Sequence, residues 1–258
     1  MVNKETIKTW AEDGVGVIQL NRPKVLNALN RRMVTEILLT LEEWDKDDSV
    51  AVIVVTGNYK VFAAGADIDE MAGDDSISLE LLNQFAEWDR IAWVKKPIIA
   101  AINGYCLGGA FELALSCDLI VAAEDAQFGF PEINLGVMPG AGGTVRLTKL
   151  MGRAKALEWL WTGEYMSAKT ALENGVVNRT VARELVFEET MKLARKIAKQ
   201  APLSLRMIKE SVNKSVDHST YEAMQFERKN FYMLFSSEDQ KEGMNAFIEK
   251  RKPNFKGK

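Results

Sequence analysis

The chain has 258 residues, 47% of them apolar and 27% charged, the balance of a folded globular domain and not of a disordered or fibrous chain. Its 33 lysines and arginines against 36 acids leave a net charge of −3, so there is no general basic footprint for nucleic acid. The longest stretch free of charge, residues 97–111, falls short of the roughly 18 residues of a membrane span.

Glu5, Glu12 and Asp13 argue against a secretory signal or an arginine-rich transit peptide, and the expectation is a cytoplasmic protein. A single histidine, His218, cannot build a three-histidine or His-Glu-x-x-His zinc site, and no metal is expected. Cys106 and Cys117 have neither metal nor redox spacing and read as reduced packing residues. Proton transfer in such a chain falls to carboxylates.

In chain order, Gly14-Val15-Gly16 reads as a hairpin turn and Val15 to Leu20 as a strand. A helix follows over Asn30 to Asp48, where Met33, Val34, Ile37, Leu38, Leu41 and Trp44 recur at the 3.6-residue period. Val50 to Thr56 is a second strand, Ser78 to Val94 a second helix, and Pro97 to Ile102 and Asp118 to Ala123 two more strands. Two segments share one plan of apolar strand, glycine turn and helix: Val52–Gly57 leading to Gly65-Ala66-Asp67, and Ile98–Gly104 leading to Gly108-Gly109-Ala110. Gly129 to Gly143 is turn-rich and reads as loops around a cleft. Beyond about Arg183 the strands stop, and Val186–Lys199, Leu203–Lys214, Ser219–Phe235 and Ser237–Lys250 all have helical patterning. Pro202 fits a helix first turn, and Ser219 with Glu222 fits a capping box. This divides the chain into an α/β core over 1–198 and a helical piece over 199–258, whose apolar face needs a core or another subunit to cover it.

Glu112 stands out because residues three and four positions away are apolar or small. With no cation in local reach, burial should raise its pKa. An ordinary helix-start glutamate is the plainer reading, but the preceding glycines favour function. Gly108 and Gly109 sit at a strand-to-helix turn, where N–H groups point outward with the helix dipole behind them, a place for an anion or a developing oxyanion. In Phe62 to Ile68 the run of small residues could present the Ala66 N–H as a second donor. Asp67, Asp69 and Glu70 do not make a calcium loop, because Met71 and Ser78 stand where ligands are needed. Glu132, after Phe128 and Phe130, would give Glu112 a partner for acid and base work. Gly140 to Thr144 lacks the dinucleotide fingerprint, which weakens a nicotinamide dehydrogenase reading.

Phe62-Ala63-Ala64-Gly65-Ala66-Asp67-Ile68, Ile102 to Ala114, Ala126 to Glu132 and Pro139 to Gly143 together resemble the crotonase superfamily, the enoyl-CoA hydratase/isomerase family, in order and over nearly the whole chain. The resemblance implies an α/β fold, a crotonase-like spiral of ββα units with a helical C-terminal trimerisation region, assembled as a homotrimer or homohexamer. It implies an acyl-CoA thioester substrate of fatty-acid metabolism and no separate cofactor. Ala66 and Gly109 match the oxyanion-hole positions; Ala64, Asp67, Ile68 and Asp69 match the segment along the coenzyme A. Glu112 and Glu132 match the two catalytic glutamates of the hydratases, with Glu112 as base and Glu132 as acid. Phe130 stands where hydratases often have glutamine, and it is expected to alter the pocket.

The activity so implied is reversible hydration of trans-2-enoyl-CoA to 3-hydroxyacyl-CoA. Alternatives are a Δ3,Δ2-enoyl-CoA isomerase, a hydratase or lyase of branched or aromatic acyl-CoA (with Trp88 or Trp93 on the acyl side), and, from another class, a non-catalytic RNA-binding module. The net charge and the intact glutamate pair argue against the last.

Overall fold

The computed structural model describes residues 4–258. Strand β1 (Ile7–Glu12) pairs antiparallel with β2 (Val15–Leu20). The turn between them is Asp13-Gly14, one position earlier than expected. Both residues have positive φ (50° and 76°), as a two-residue hairpin turn matched to strand twist requires, so Val15 and Gly16 already lie in the ladder. Helix α1 (Arg31–Lys46) starts where the Asn30 side chain accepts the Met33 N–H, and it buries Met33, Ile37, Leu38, Leu41 and Trp44. Gly16 accommodates this packing, since a Cβ there would lie 2.6 Å from the Trp44 ring.

Then come β3 (Val52–Thr56), α2 (Ile68–Met71), α3 (Ser76–Leu82) and α4 (Ala86–Trp93). The single helix expected over 78–94 is thus two. Asp75 caps α3 in a capping box with Ser78, and Asn83 stops it in the left-handed region at φ 44°, a conformation asparagine tolerates. Next are β4 (Ile98–Ile102), β5 (Tyr105–Leu107), α5 (Gly109–Ser116), β6 (Leu119–Ala123), β7 (Gln127–Gly129) and a 3-10 turn over Pro131–Leu135. They lead to α6 (Gly143–Met151), α7 (Arg153–Thr162), β8 (Met166–Ser167), α8 (Ala168–Glu173) and β9 (Arg179–Val181). The chain closes with α9 (Val186–Ala198), α10 (Pro202–Asp217), α11 (Thr220–Leu234) and α12 (Glu238–Ile248). Pro202 opens α10, and Ser219 and Glu222 form the capping box of α11.

The large sheet runs β1-β2-β3-β4-β6-β9, parallel from β2 onward, and the small one runs β5-β7-β8. Its parallel strands are apolar along their length because they are covered on both faces: all five residues of β3 and of β4 are buried. α9 packs across β2, β3, β4 and β6. The strand–turn–helix plan recurs spatially. β4 and β6 each belong to the large sheet, and each is followed by a strand of the small one, β5 and β7. Ala63, after β3, bridges Cys106 and extends the small sheet in the same sense. Each turn of this winding delivers a loop to one edge of the small sheet. There the site forms.

Candidate active site

Gly108 has φ 50° and ψ −129°, a backbone state closed to side-chain residues, and a Cβ on it would come 3.0 Å from Glu132 Oε1. Its N–H donates to the Gly129 carbonyl (2.9 Å), locking the end of β5 to β7. α5 therefore begins at Gly109, whose N–H has no intrahelical acceptor and points out of the helix.

The second donor comes from a bridge. Leu29 N–H donates to the Gly65 carbonyl (2.8 Å) and the Leu29 carbonyl accepts from Asp67 N–H (2.9 Å), so the flanking residues satisfy Leu29 and the Ala66 N–H turns to the other side. Gly65 permits the kink with φ 121°. The two donors are neighbours: a Cβ built on Gly109 would lie 3.7 Å from the Ala66 nitrogen.

One turn into α5, Glu112 is 3% exposed. Its Oε1 accepts the N–H groups of Ala141 (2.7 Å) and Gly143 (2.8 Å). Burial raises its pKa, while those two amides and the charge of Arg146 oppose the rise. Glu132 sits on the 3-10 turn, and its Oε2 is buried without a hydrogen-bond partner among the described residues. Burial pushes its pKa up to about 7, and the nearby charge of Glu112 adds to that. The two carboxyls thus differ in kind. Donors favour an ionised Glu112, and the absence of donors on Oε2 favours a protonated Glu132.

Ala66, Gly109, Glu112 and Glu132 line one cavity of about 260 Å³, with Leu29, Val34, Ile68, Met71, Phe85, Trp88, Leu135 and Met138 among its apolar walls. The small sequence-predicted residues nearby divide. Ile68 lines the cavity; Ala64, Asp67 and Asp69 do not. Ala64 donates its N–H to Leu26, Asp67 is paired with Arg22 at 2.8 Å, and Asp69 is exposed.

Phe130 does not line the cavity itself. It is 2% exposed, stacks on Phe111 with centroids 4.8 Å apart, and lies outside the cavity. Its ring meets Gly143, so it shapes the site from behind, through the loop that grips Glu112. Trp93 is 71% exposed and also outside; Trp88 is the tryptophan on the acyl side. His218 is exposed at the end of α10.

The sequence reading missed the Ala141 and Gly143 amides as partners of Glu112, and the polar rim of Arg31, Thr35, Gln84 and Glu87. Glycine density around residue 140 was the one signal for the first. The second depends on α1 meeting α2–α4 and leaves no local pattern.

The structure is that of a crotonase-fold protein with a helical C-terminal region. It superposes on a crystal structure of an enoyl-CoA hydratase from Geobacillus kaustophilus with a TM-score of 0.96, at 65% identity, covering 98% of this chain and 99% of the other. A family model described as enoyl-CoA hydratase/isomerase matches residues 11–258, and the chain belongs to that family. A probable enoyl-CoA hydratase of Rhizobium meliloti is 46% identical over 252 residues, 98% of each chain. The mitochondrial enoyl-CoA hydratase of Pongo abelii is 46% identical over 96% of this chain and 86% of its own. No helix among the described residues is long and apolar enough to cross a membrane.

Proposed function

We propose that the chain is an enoyl-CoA hydratase, a hydro-lyase that adds water reversibly across C2=C3 of a trans-2-enoyl-CoA to give the 3-hydroxyacyl-CoA. One observation carries the reading: two main-chain N–H groups with no acceptor among the described residues and two buried carboxyls with different hydrogen-bond partners converge on one apolar cavity. Such thioesters arise in fatty-acid breakdown, the setting we assign to it.

The thioester oxygen lies on the N–H groups of Ala66 and Gly109. Attack at C3 moves negative charge onto that oxygen, and each preorganised donor contributes on the order of 3 kcal/mol to the transition state. Glu112, ionised and clamped by two amides, takes a proton from the water whose oxygen bonds to C3. Glu132, protonated near neutrality, gives its proton to C2. The proton gained by Glu112 then returns to Glu132 and the pair resets, so no cofactor beyond the substrate's own coenzyme A is needed. General acid–base transfer contributes about 10²–10⁴-fold per group. The retention of both glutamates favours hydration over isomerisation, which moves one proton between C2 and C4 and needs only one.

We also propose a homotrimer or homohexamer, which would cover the apolar residues that α10–α12 leave exposed, among them Val212, Phe231, Tyr232 and Phe247. A cytoplasmic location and the run of coenzyme A past Ala64, Asp67 and Asp69 belong to the same reading.

The test is a panel of trans-2-enoyl-CoA thioesters of graded length, with a 3-enoyl-CoA in parallel, followed by loss of the conjugated ultraviolet absorbance. The wild type should hydrate the 2-enoyl series, and Glu132→Gln should lose at least about 10²-fold in kcat with KM little changed. Near-normal turnover by E132Q would remove its assigned role, and turnover of the 3-enoyl thioester alone would make the chain an isomerase.

A further inference from the structure

Glu112 is held by main-chain donors, so something must hold the main chain. Ala141 lies in the glycine-rich segment that leads from the 3-10 turn into α6, and Gly143 is the first residue of α6. Its backbone is anchored from one side by Phe130, since a Cβ on Gly143 would lie 2.7 Å from that ring. From the other side Arg146, one turn into α6, donates from Nη1 to the Ala141 carbonyl at 2.8 Å. The guanidinium is pressed against the intervening residue. Gly142 has φ 100°, and a Cβ there would be 2.0 Å from Nη1, so only glycine leaves room for it.

Both contacts converge on one residue. Ala141 offers its carbonyl to Arg146 and its N–H to Glu112, so fixing one end of the residue restrains the other. Arg146 is half-buried, makes no ion pair among the described residues, and does not line the cavity. A half-buried guanidinium held on a backbone carbonyl, with no carboxylate of its own, leaves its charge available to a carboxylate nearby.

The charged groups around Glu112 are few. Glu132 shares the cavity from the 3-10 turn and has its own pKa raised by Glu112; Arg146 acts from α6 and favours the ionised form of Glu112. On α5 itself Glu112 is the one titratable carboxyl. At the far end of that helix Asp118 is neutralised by Lys209 of α10 at 2.7 Å, and on α6 Lys149 is paired with Asp217. Among the described residues, Arg146 is therefore the cation acting on Glu112, and it is not already paired with a carboxylate.

We propose that Arg146 is a positioning residue for hydration: from behind the Pro139–Gly143 segment it braces the backbone whose amides grip Glu112, and it supplies positive charge that favours the ionised form of this base without touching substrate. The inference rests on Glu112 being the base. It goes beyond that reading by assigning the charge balance of the site to a residue outside the cavity.

The test is the pH profile of kcat/KM for wild type, Arg146→Gln and Arg146→Lys on a short trans-2-enoyl-CoA. Loss of the cation raises the pH at which Glu112 ionises, so the acid limb should move upward. The R146Q deficit at pH 6 should then exceed its deficit at pH 9 by roughly five- to tenfold. R146K restores the charge and should return the limb towards its wild-type place. An R146Q deficit equal at every pH, or a limb that R146K leaves displaced, would overturn the proposal. If R146Q fails to fold, Arg146→Met, which keeps the aliphatic stem packed, carries the same comparison; loss of fold in both with R146K folded would make the residue merely structural and refute it. A wild type that hydrates nothing would instead sink the functional reading, so the two failures are distinguishable.

Discussion

The cavity wall that carries Gly109, Glu112 and the 141–143 amides is main chain welded to two sheets, whereas the facing wall, residues 68–93, is three short helices resting on the molecule. On the inner side, α5 buries six of its residues, from Gly109 to Ala114, and the rings of Phe111, Phe128 and Phe130 pack behind it. On the outer side, α2 and α3 bury nothing, and Leu81 is 81% exposed. The outer wall is tethered by polar bonds. Arg31 donates its N–H to Glu70 (2.7 Å) and Nε to Gln84 (2.8 Å), and pairs with Asp74; Arg90 pairs with Glu42 at 2.7 Å. The contrast assigns different duties. Groups that must meet a developing charge within a few tenths of an ångström stand where packing leaves no alternative positions. On the facing wall α4 is anchored by buried Trp88 and Ile91, while α2 and α3 are held by polar bonds worth about 0–1 kcal/mol each, which can loosen singly.

The comparison breaks most severely at Gly143. A valine there would drive a Cβ to within 2.7 Å of Phe130 and 2.9 Å of Pro139, shifting the loop and withdrawing both N–H donors from Glu112. Gly143→Val should lower kcat by about 10²-fold or more, with a smaller effect on KM, in steady-state assays of the folded protein. A kcat within threefold of wild type would mean the inner wall tolerates movement and the contrast is false.

An intermediate effect concerns stability. Glu132 rises from an ordinary 4.5 to about 7 on folding, so the folded chain binds this proton more tightly than the unfolded chain does. The cost of deprotonating it is absent below about pH 4.5, grows between pH 4.5 and 7, and is complete above that. Replacing it by glutamine removes the cost. E132Q should therefore be more stable than wild type at pH 8 by about 1–2 kcal/mol, allowing for its partial exposure, and the gain should vanish by pH 4.5. Denaturant titrations at the two pH values decide it; a gain independent of pH would reject the buried-acid account.

The smallest effect belongs to the outer wall. Arg31→Gln cuts the side-chain tethers to Gln84 and Asp74 but leaves the N–H bond to Glu70. With a four-carbon substrate kcat should stay within about twofold, while kcat/KM for longer chains relative to short ones should rise severalfold across a graded panel. A tenfold fall in kcat for the short substrate would show that the outer wall shares the catalytic rigidity of the inner one.

Much of this molecule could be read from its residues in order; β1, α6 and α7 were not, nor were the shortest strands. Periodicity located β2, α1, β3, β4, β6 and α9, whose apolar pattern is set by one buried face or by complete burial, and also α10–α12, whose apolar residues are largely exposed in the single chain. The short strands β5, β7, β8 and β9, two or three residues each, exist only because a neighbouring strand is present, and no local pattern announces them. The break at Asn83 likewise depends on Gln84 turning to reach Arg31, 53 positions away.

The site divides along the same line. Glycines at 65, 108 and 109, and carboxylates in apolar company at 112 and 132, are chemical facts of the chain, and they marked groups that the fold gathers around one cavity. What each carboxyl is held by was decided only in three dimensions. Two amides 29 and 31 residues from Glu112 grip one of its oxygens, Phe130 and Arg146 brace them, and Glu132 is left with a buried oxygen that nothing satisfies. Residue identity determines which groups can carry protons. Long-range packing determines their solvation and partners, and hence which of two identical side chains begins the reaction charged.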